Sequence, residues 1–481
     1  QSIKRSMKVD LNDFVRGQRL AGVAKLNLHN NVTDASWMNE VLSHRLFRDA
    51  GVPAPRTAYA RLYVTVPGKH DRKYFGLYSL VENPDNDFAE SRFGSRKGAL
   101  FKPVTSQPFE DMGNDWGAYE QADDPKTSVG AAEASRVIAF CQLISKADDA
   151  AFAARVGEFV DLEECARFLA ITTWLSTLDS ILGVGQNYLV YLHPKARQFQ
   201  FIPWDLDHSF GHFNLTGTQE QRENLSIRKP WQGSILFLER LFKVDAFMNR
   251  YLARMEEFNR TICRPERLQA QVDEVADVLR PAVREESQSL LARFEKVVSG
   301  QPVPLQFPGA GPGGAEAGEE GPAPQGFGPP MGFLMQGPKP IKGFVTARAQ
   351  SVADQLAGRS AGAVVGGFGF GGPGGPGGPG GPGGPGGGPG GPGGGMDFGP
   401  GTFLGPVFLR ALDADKDSEV TRGEFTKGFD QWFRSWNTNA SGVLTDEQLR
   451  AGINGDLFPS RGGFPGGPGF GAPGRPGVES R

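Results

Sequence analysis

Apolar and polar positions alternate strictly along residues 57–66, TAYARLYVTV, and again toward Glu82 in 73–82, so two strands are predicted there. Residues 22–28, GVAKLNL, predict a shorter strand that carries Lys25. Between them, in DASWMNEVLSHRLFRDA (34–50), the apolar residues Trp37, Val41, Leu42 and Leu46 recur at helical spacing. Asp34 or Ser36 can cap this helix, Glu40 lies on it and Gly51 stops it. Asn83-Pro84-Asp85 then breaks the chain. The order is strand with Lys, helix with Glu, two strands and a hinge-like turn. Residues 130–177 and 232–300 return to the helical period and predict a helical second lobe.

Two apolar strands around a basic turn follow at 187–203. Asn187 opens the first strand, and the second ends in Trp204-Asp205-Leu206-Asp207. Antiparallel pairing sets Asn187 beside Asp205, and Asp179 lies in the loop just before. Hard cations such as Mg²⁺ take oxygen ligands, and Asn187, Asp205 and Asp207 offer them. Asp179 can accept a hydrogen bond from an attacking hydroxyl. Asp and Asn also close turns on their own backbone. Two carboxylates leaving a buried strand, however, repel each other and call for a cation or an Arg. Asp-x-Asp also suits a metal-bound nucleotide sugar, but the Asn-led hairpin and the Lys/Glu order favour phosphoryl transfer.

Net charge is −3, from 51 basic and 54 acidic residues, which gives no strong pull toward nucleic acid. No apolar run reaches membrane-spanning length. Cys141, Cys165 and Cys263 lack metal-ligand spacing and are expected as buried thiols. Gly and Pro concentrate in 300–339 and 366–400. The first stretch predicts a disordered insertion. The second predicts a flexible spacer, because Gly386-Gly387-Gly388 breaks the collagen-like phase. A helical pattern returns at 340–357.

KLNLHNNVTDASWMNEVLSHRLFRDAGVPAPR, FGLYSLVENPDNDFAESRFG, GALFKP and FQFIPWDLDHSFG together resemble the spore coat protein H (CotH) kinase family, from about Lys4 to about Leu356. The resemblance implies an α+β fold: an atypical protein-kinase-like domain of two lobes. It implies ATP-dependent phosphorylation of Ser or Thr on a protein substrate, with Mg²⁺ or Mn²⁺. Asp179 would be catalytic, and Asp205 a metal ligand with Asn187 and Asp207 beside it. Lys25, Lys102 in GALFKP, or both, would contact the nucleotide, with Glu40 as ion-pair partner and Glu82 at the hinge-like turn. The chain departs from the kinase pattern in two ways: no glycine-rich phosphate cover lies in 1–21, and Thr177-Leu178 precedes Asp179 in place of His-Arg. It begins at Gln1, without Met, and is read as trimmed or processed. An exported or cell-surface location is expected. The competing expectation is a non-catalytic relative that binds a surface or matrix.

Residues 413–424, DADKDSEVTRGE, match a calcium-binding EF-hand loop. Asp413, Asp415 and Asp417 fill positions one, three and five, the Glu419 carbonyl position seven and Glu424 position twelve. Ser418 stands where Gly is usual. A second loop, 437–448, keeps Gly442 but offers Asn437, Asn439, Ser441 and Gln448 in place of carboxylates, so it is expected to bind Ca²⁺ weakly. The expected division is a kinase-like domain over 1–358, a linker over 359–400, a small all-α EF-hand pair over 401–458 and a disordered tail over 459–481.

Overall fold

The computed structural model describes residues 4–304, 337–366 and, further on, 408, 411–415, 419–437, 441–445, 448, 449 and 452. Most of the 300–339 insertion, the 367–400 spacer, Asp417 and the 459–481 tail lie outside the described residues. The chain forms two units, 1–388 and 389–481.

The first unit is a mixed α/β structure. One antiparallel sheet has the order β1-β2-β4-β3, built from β1 (Met7–Asp10), β2 (Lys25–His29), β3 (Thr57–Val66) and β4 (His70–Glu82). β3 matches the alternating segment read from the sequence residue for residue. Helix α1 (Asn39–Asp49) follows β2 and starts later than its apolar pattern. The delay has a physical cause: Asp34 accepts the N–H groups of Ser36 (2.8 Å) and Asn39 (2.9 Å), so residues 34–38 form the cap and not the first turn. Gly51 ends the helix at φ +75°.

A second sheet joins β5 (Ala99–Phe101), β6 (Tyr188–Leu192) and β7 (Phe199–Pro203) in that order. The helices are α2 (Asn86–Phe93), α3 (Trp116–Asp123), α4 (Ala131–Lys146), α5 (Asp149–Phe159), α6 (Leu162–Trp174), α7 (Gln219–Glu223), α8 (Leu236–Leu241), α9 (Asp245–Arg260), α10 (Pro265–Glu286), α11 (Gln288–Val298) and α12 (Ile341–Leu356). Phe140, Phe168, Phe199, Phe201 and Phe237 form the aromatic heart of the core beneath the β6–β7 hairpin. Trp174 is fully buried there, as are the three unpaired thiols.

α12 belongs to this unit although the insertion precedes it. Arg348 is fully buried and donates to the carbonyls of Thr173, Trp174, Glu223 and Leu225. A Cβ on Gly337 would lie 1.6 Å from the Val303 carbonyl oxygen, so the chain leaves and re-enters at one point. Because closure cost grows only slowly with loop length, a long insertion between these two points is tolerated. The expected boundary at 358 is too early. Ser226 N–H bonds the Ala363 carbonyl at 2.8 Å, Gln232 Nε2 reaches the Gly366 carbonyl, and Val365 is buried. Apolar Val365 supplies the burial that the Gly-Gly-Pro repeats lack.

In the second unit, α13 (Arg422–Trp436) begins with a capping box between Thr421 and Glu424. Among the described residues, no helix is long and apolar enough to cross a membrane.

Candidate functional site

The β6–β7 hairpin, the end of β2 and the start of α1 converge on one cluster of polar side chains. Tyr188 pairs with Pro203, and Trp204 N–H bonds the Asn187 carbonyl at 3.1 Å. Asn187 therefore stands opposite Trp204 where the hairpin opens, one residue before Asp205, rather than opposite Asp205 itself. Asn187 and Asp205 both adopt left-handed backbone, φ +60° and +51°. Asn and Asp tolerate that region better than other side chains, and such residues concentrate at functional sites. The loop before the hairpin is held from the same point: Asn187 Nδ2 donates to the Asp179 carbonyl (3.1 Å), and Gln186 Nε2 donates to Asp179 Oδ1 (3.0 Å).

The second carboxylate, Asp207, is tied to α1. Thr33 Oγ1 donates to its Oδ2 at 2.9 Å, and Asn39 Nδ2 donates to its backbone carbonyl at 2.7 Å. His212, whose ring faces Asn39 and the Lys339 carbonyl, is held neutral by burial. Asn187, Asp205 and Asp207 thus lie near the open end of the hairpin, with the Asp179 loop tied to Asn187.

The expected Lys25–Glu40 ion pair is not made. Lys25 Nζ pairs with Asp10 on β1 at 3.3 Å, with both side chains exposed. Glu40 is buried, and its Oε2 lies 2.7 Å from His29 Nδ1. Lys25 and His29 stand on the same face of β2, but four residues of strand separate them by about 13 Å. His29 is the one that reaches the helix. Glu82 is not open either: Arg56 grips it through two nitrogens (3.1 and 2.8 Å), and Arg92 adds a third contact at 3.2 Å. Lys102 is half-buried just past β5, whose register against β6 runs Phe101–Val190, so it follows the hairpin toward its open end.

The electrostatics report crowding. Burial, then the charges of Asp207 and Glu40, push the Asp205 carboxyl up to about 6, although its side chain is 47% exposed. Burial likewise raises Asp179 from the ordinary carboxylate range. Glu40 goes the other way: the hydrogen bond to His29 and the neighbouring imidazoles of His29 and His44 outweigh its burial and hold it near 2. His29 is raised on balance, because the Glu40 bond and charge exceed the opposing desolvation. Among the described residues, ligand atoms of His29, Glu40 and Asp205 lie within 4.8 Å of one another. A divalent cation fits this donor set and would relieve the repulsion between its carboxylates.

His29 is the residue that sequence reading missed. Its signal was the two-residue period of β2, which puts Lys25, Asn27 and His29 on one face. Trp204 is half-buried and meets the His29 ring edge-on at 5.8 Å.

A separate cluster lies in the second unit. Ligand oxygens of Asp413, Asp415 and Glu424 also lie within 4.8 Å of one another. Glu424 accepts the N–H groups of Ala414 (2.8 Å) and Thr421 (2.9 Å), which hold its carboxyl near 2. In the 437–448 loop, Gln448 Oε1 accepts Thr445 N–H at 3.0 Å, the same cap in amide form. Gly442 has φ +76°, as its turn position requires.

A family model described as CotH kinase protein matches residues 1–299. The chain is also similar to the inner spore coat protein H of Bacillus subtilis (strain 168). Identity is 23% over 276 residues, which cover 56% of this chain and 72% of that relative.

Proposed function

The chain belongs to the CotH kinase family, and on that premise we propose that it transfers a phosphoryl group from ATP to Ser or Thr of a protein substrate. The observation that carries this reading is the convergence of Asp179, Asn187, Asp205 and Asp207 at the open end of one hairpin. Asp205, with Asn187 and Asp207, would hold the Mg²⁺ or Mn²⁺ that neutralises charge on the β- and γ-phosphates. Asp179, raised by burial, would accept the substrate hydroxyl's proton and orient it. Lys102, travelling beside β6, is the better placed of the two candidate nucleotide lysines, because Lys25 is engaged with Asp10. Two lobes of the kinase kind are supported by the Lys-strand, helix and two-strand order ahead of the hairpin. The relative's name assigns that protein to a spore coat, which supports a surface or exported location for this chain.

Incubation with labelled ATP tests the reading. Asp205→Asn is expected to reduce metal-dependent nucleotide binding and transfer together. Asp179→Asn is expected to spare binding and lower turnover by about 10²-fold or more. Undiminished transfer in both variants defeats the assignment. A second reading, a non-catalytic surface or matrix binder, draws support from the ion pairs that occupy Lys25 and Glu82. It predicts no transfer from ATP by the unaltered protein.

We also infer that the 413–424 loop binds Ca²⁺ and that, with the 437–448 loop, it forms an EF-hand pair. The clustered Asp413, Asp415 and Glu424 oxygens support this.

A further inference from the structure

The proposed site carries more negative charge than its own cations balance. Glu40, Asp205 and Asp207 converge there, while Lys25, the cation expected to meet Glu40, pairs elsewhere. Glu40 is 1% exposed, and its Oε1 makes no hydrogen bond. The nearest candidate, His44 Nε2, is 3.8 Å away and is itself without a partner. A buried carboxylate with one hydrogen bond to His29 is poorly satisfied for a group that accepts several.

His29 closes the gap between the helix and the hairpin. Its Nδ1 lies 2.7 Å from Glu40 Oε2 and 3.9 Å from Asp205 Oδ1. Ligands about 2.1 Å from one cation stand roughly 3 Å apart. A cation between the three groups would therefore take the place of the proton shared by His29 and Glu40 with small side-chain adjustments.

We propose that His29, Glu40 and Asp205 form a mixed nitrogen–oxygen centre that selects a first-row transition dication over Mg²⁺. The physical reason is ligand character: Mg²⁺ favours oxygen and keeps its waters, whereas imidazole suits the transition metals. Edge-on packing against Trp204 orients the ring, and the Glu40 carboxylate, fixed on α1, opposes it. The inference rests on the phosphoryl-transfer reading only for what the cation does, not for whether it binds.

Pulsed EPR of Mn²⁺ bound to the full chain tests it. Excess Ca²⁺ occupies the 413–424 loop, whose side-chain ligands are all oxygens and give no nitrogen signal. Nitrogen coupling to Mn²⁺ is expected in the unaltered protein and its loss in His29→Asn. Calorimetry is expected to show the preference for Mn²⁺ over Mg²⁺ falling at least about tenfold in His29→Asn, with Mg²⁺ affinity little changed. Absence of nitrogen coupling in the unaltered protein overturns the proposal, whatever the variant's folding. So does coupling that survives His29→Asn and disappears in His208→Asn. The two readings fail separately. Nitrogen-coupled Mn²⁺ without transfer from ATP keeps this centre and removes the kinase. Mg²⁺-supported transfer without nitrogen coupling does the reverse.

Discussion

At the scale of single residues, burial without a partner leaves a signature that pH exposes. Asp123, at the end of α3, is buried, and its Oδ2 has no hydrogen-bond partner. Desolvation raises its carboxyl from 3.8 to about 7. That difference corresponds to about 4 kcal/mol between its two protonation states. The folded protein holds this proton more tightly than the unfolded chain. Its contribution is therefore complete below pH 3.8 and is lost as pH rises toward about 7. Asp123→Asn removes the titration while keeping the shape. The variant is expected to gain stability over the unaltered protein progressively between pH 4 and pH 8, read from denaturant midpoints. A pH-independent difference would show that the carboxyl titrates normally. Residue-scale partners were also the least legible part of the sequence. Asp179, Asn187, Asp205 and Asp207 are legible as candidates because they stand at the ends of a hairpin whose strands the apolar pattern marks. The pairing of Glu40 with His29, and of Lys25 with Asp10, depends on distances along β2 that composition does not record.

Elements were far more legible than partners, because hydrophobic period decides them. β3, the β6–β7 hairpin, α4–α6 and α8–α12 lie where alternation or helical spacing put them. The start of α1 was misjudged because Asp34 and Ser36 act several residues ahead of the first helical residue. The loop carrying Asp179 shows how tightly an element without period can be specified. Gly185 sits at φ +70°, and a Cβ there would lie 1.7 Å from the Thr105 carbonyl oxygen. That oxygen belongs to backbone and cannot rotate away. Gly185→Ala is therefore expected to cost about 3 kcal/mol, combining steric overlap with left-handed strain. Gly233 has a similar φ, +59°, but open space around its Cβ position. Gly233→Ala is expected to cost only about 1 kcal/mol. Equal losses in chemical denaturation would mean that backbone conformation, and not contact with Thr105, governs the Gly185 position.

At the scale of the molecule, composition divided the chain well where apolar residues vanish and poorly where one remains, as Val365 extends the first unit beyond 358. Residue types also rank the 413–424 and 437–448 loops as Ca²⁺ sites. The first loop offers carboxylates from Asp413, Asp415, Asp417 and Glu424, whereas the second offers none at its positions one, three, five and twelve. Its cap is nevertheless built alike, since Gln448 accepts Thr445 N–H as Glu424 accepts Thr421 N–H. Folding of the loop and affinity for Ca²⁺ are therefore separable: the amide preserves the cap and removes the charge. Coulombic attraction and bidentate closure both favour the first loop. Calorimetry of the full chain in excess Mg²⁺ is expected to show one tight Ca²⁺ and a second, much weaker one. Glu424→Gln is expected to abolish the tight event, and Gln448→Glu to strengthen the weak one. Trp432 and Trp436 stack at 5.7 Å on α13 between the loops, so their fluorescence is expected to follow the tight event. Two equal tight sites, or none, would contradict this ranking. From its Gly/Pro-rich composition alone, the spacer between the units is expected to couple them weakly. Phosphoryl transfer to substrate is accordingly expected to be the same with and without Ca²⁺, and a Ca²⁺-dependent rate that disappears in Glu424→Gln would show that the second unit regulates the first.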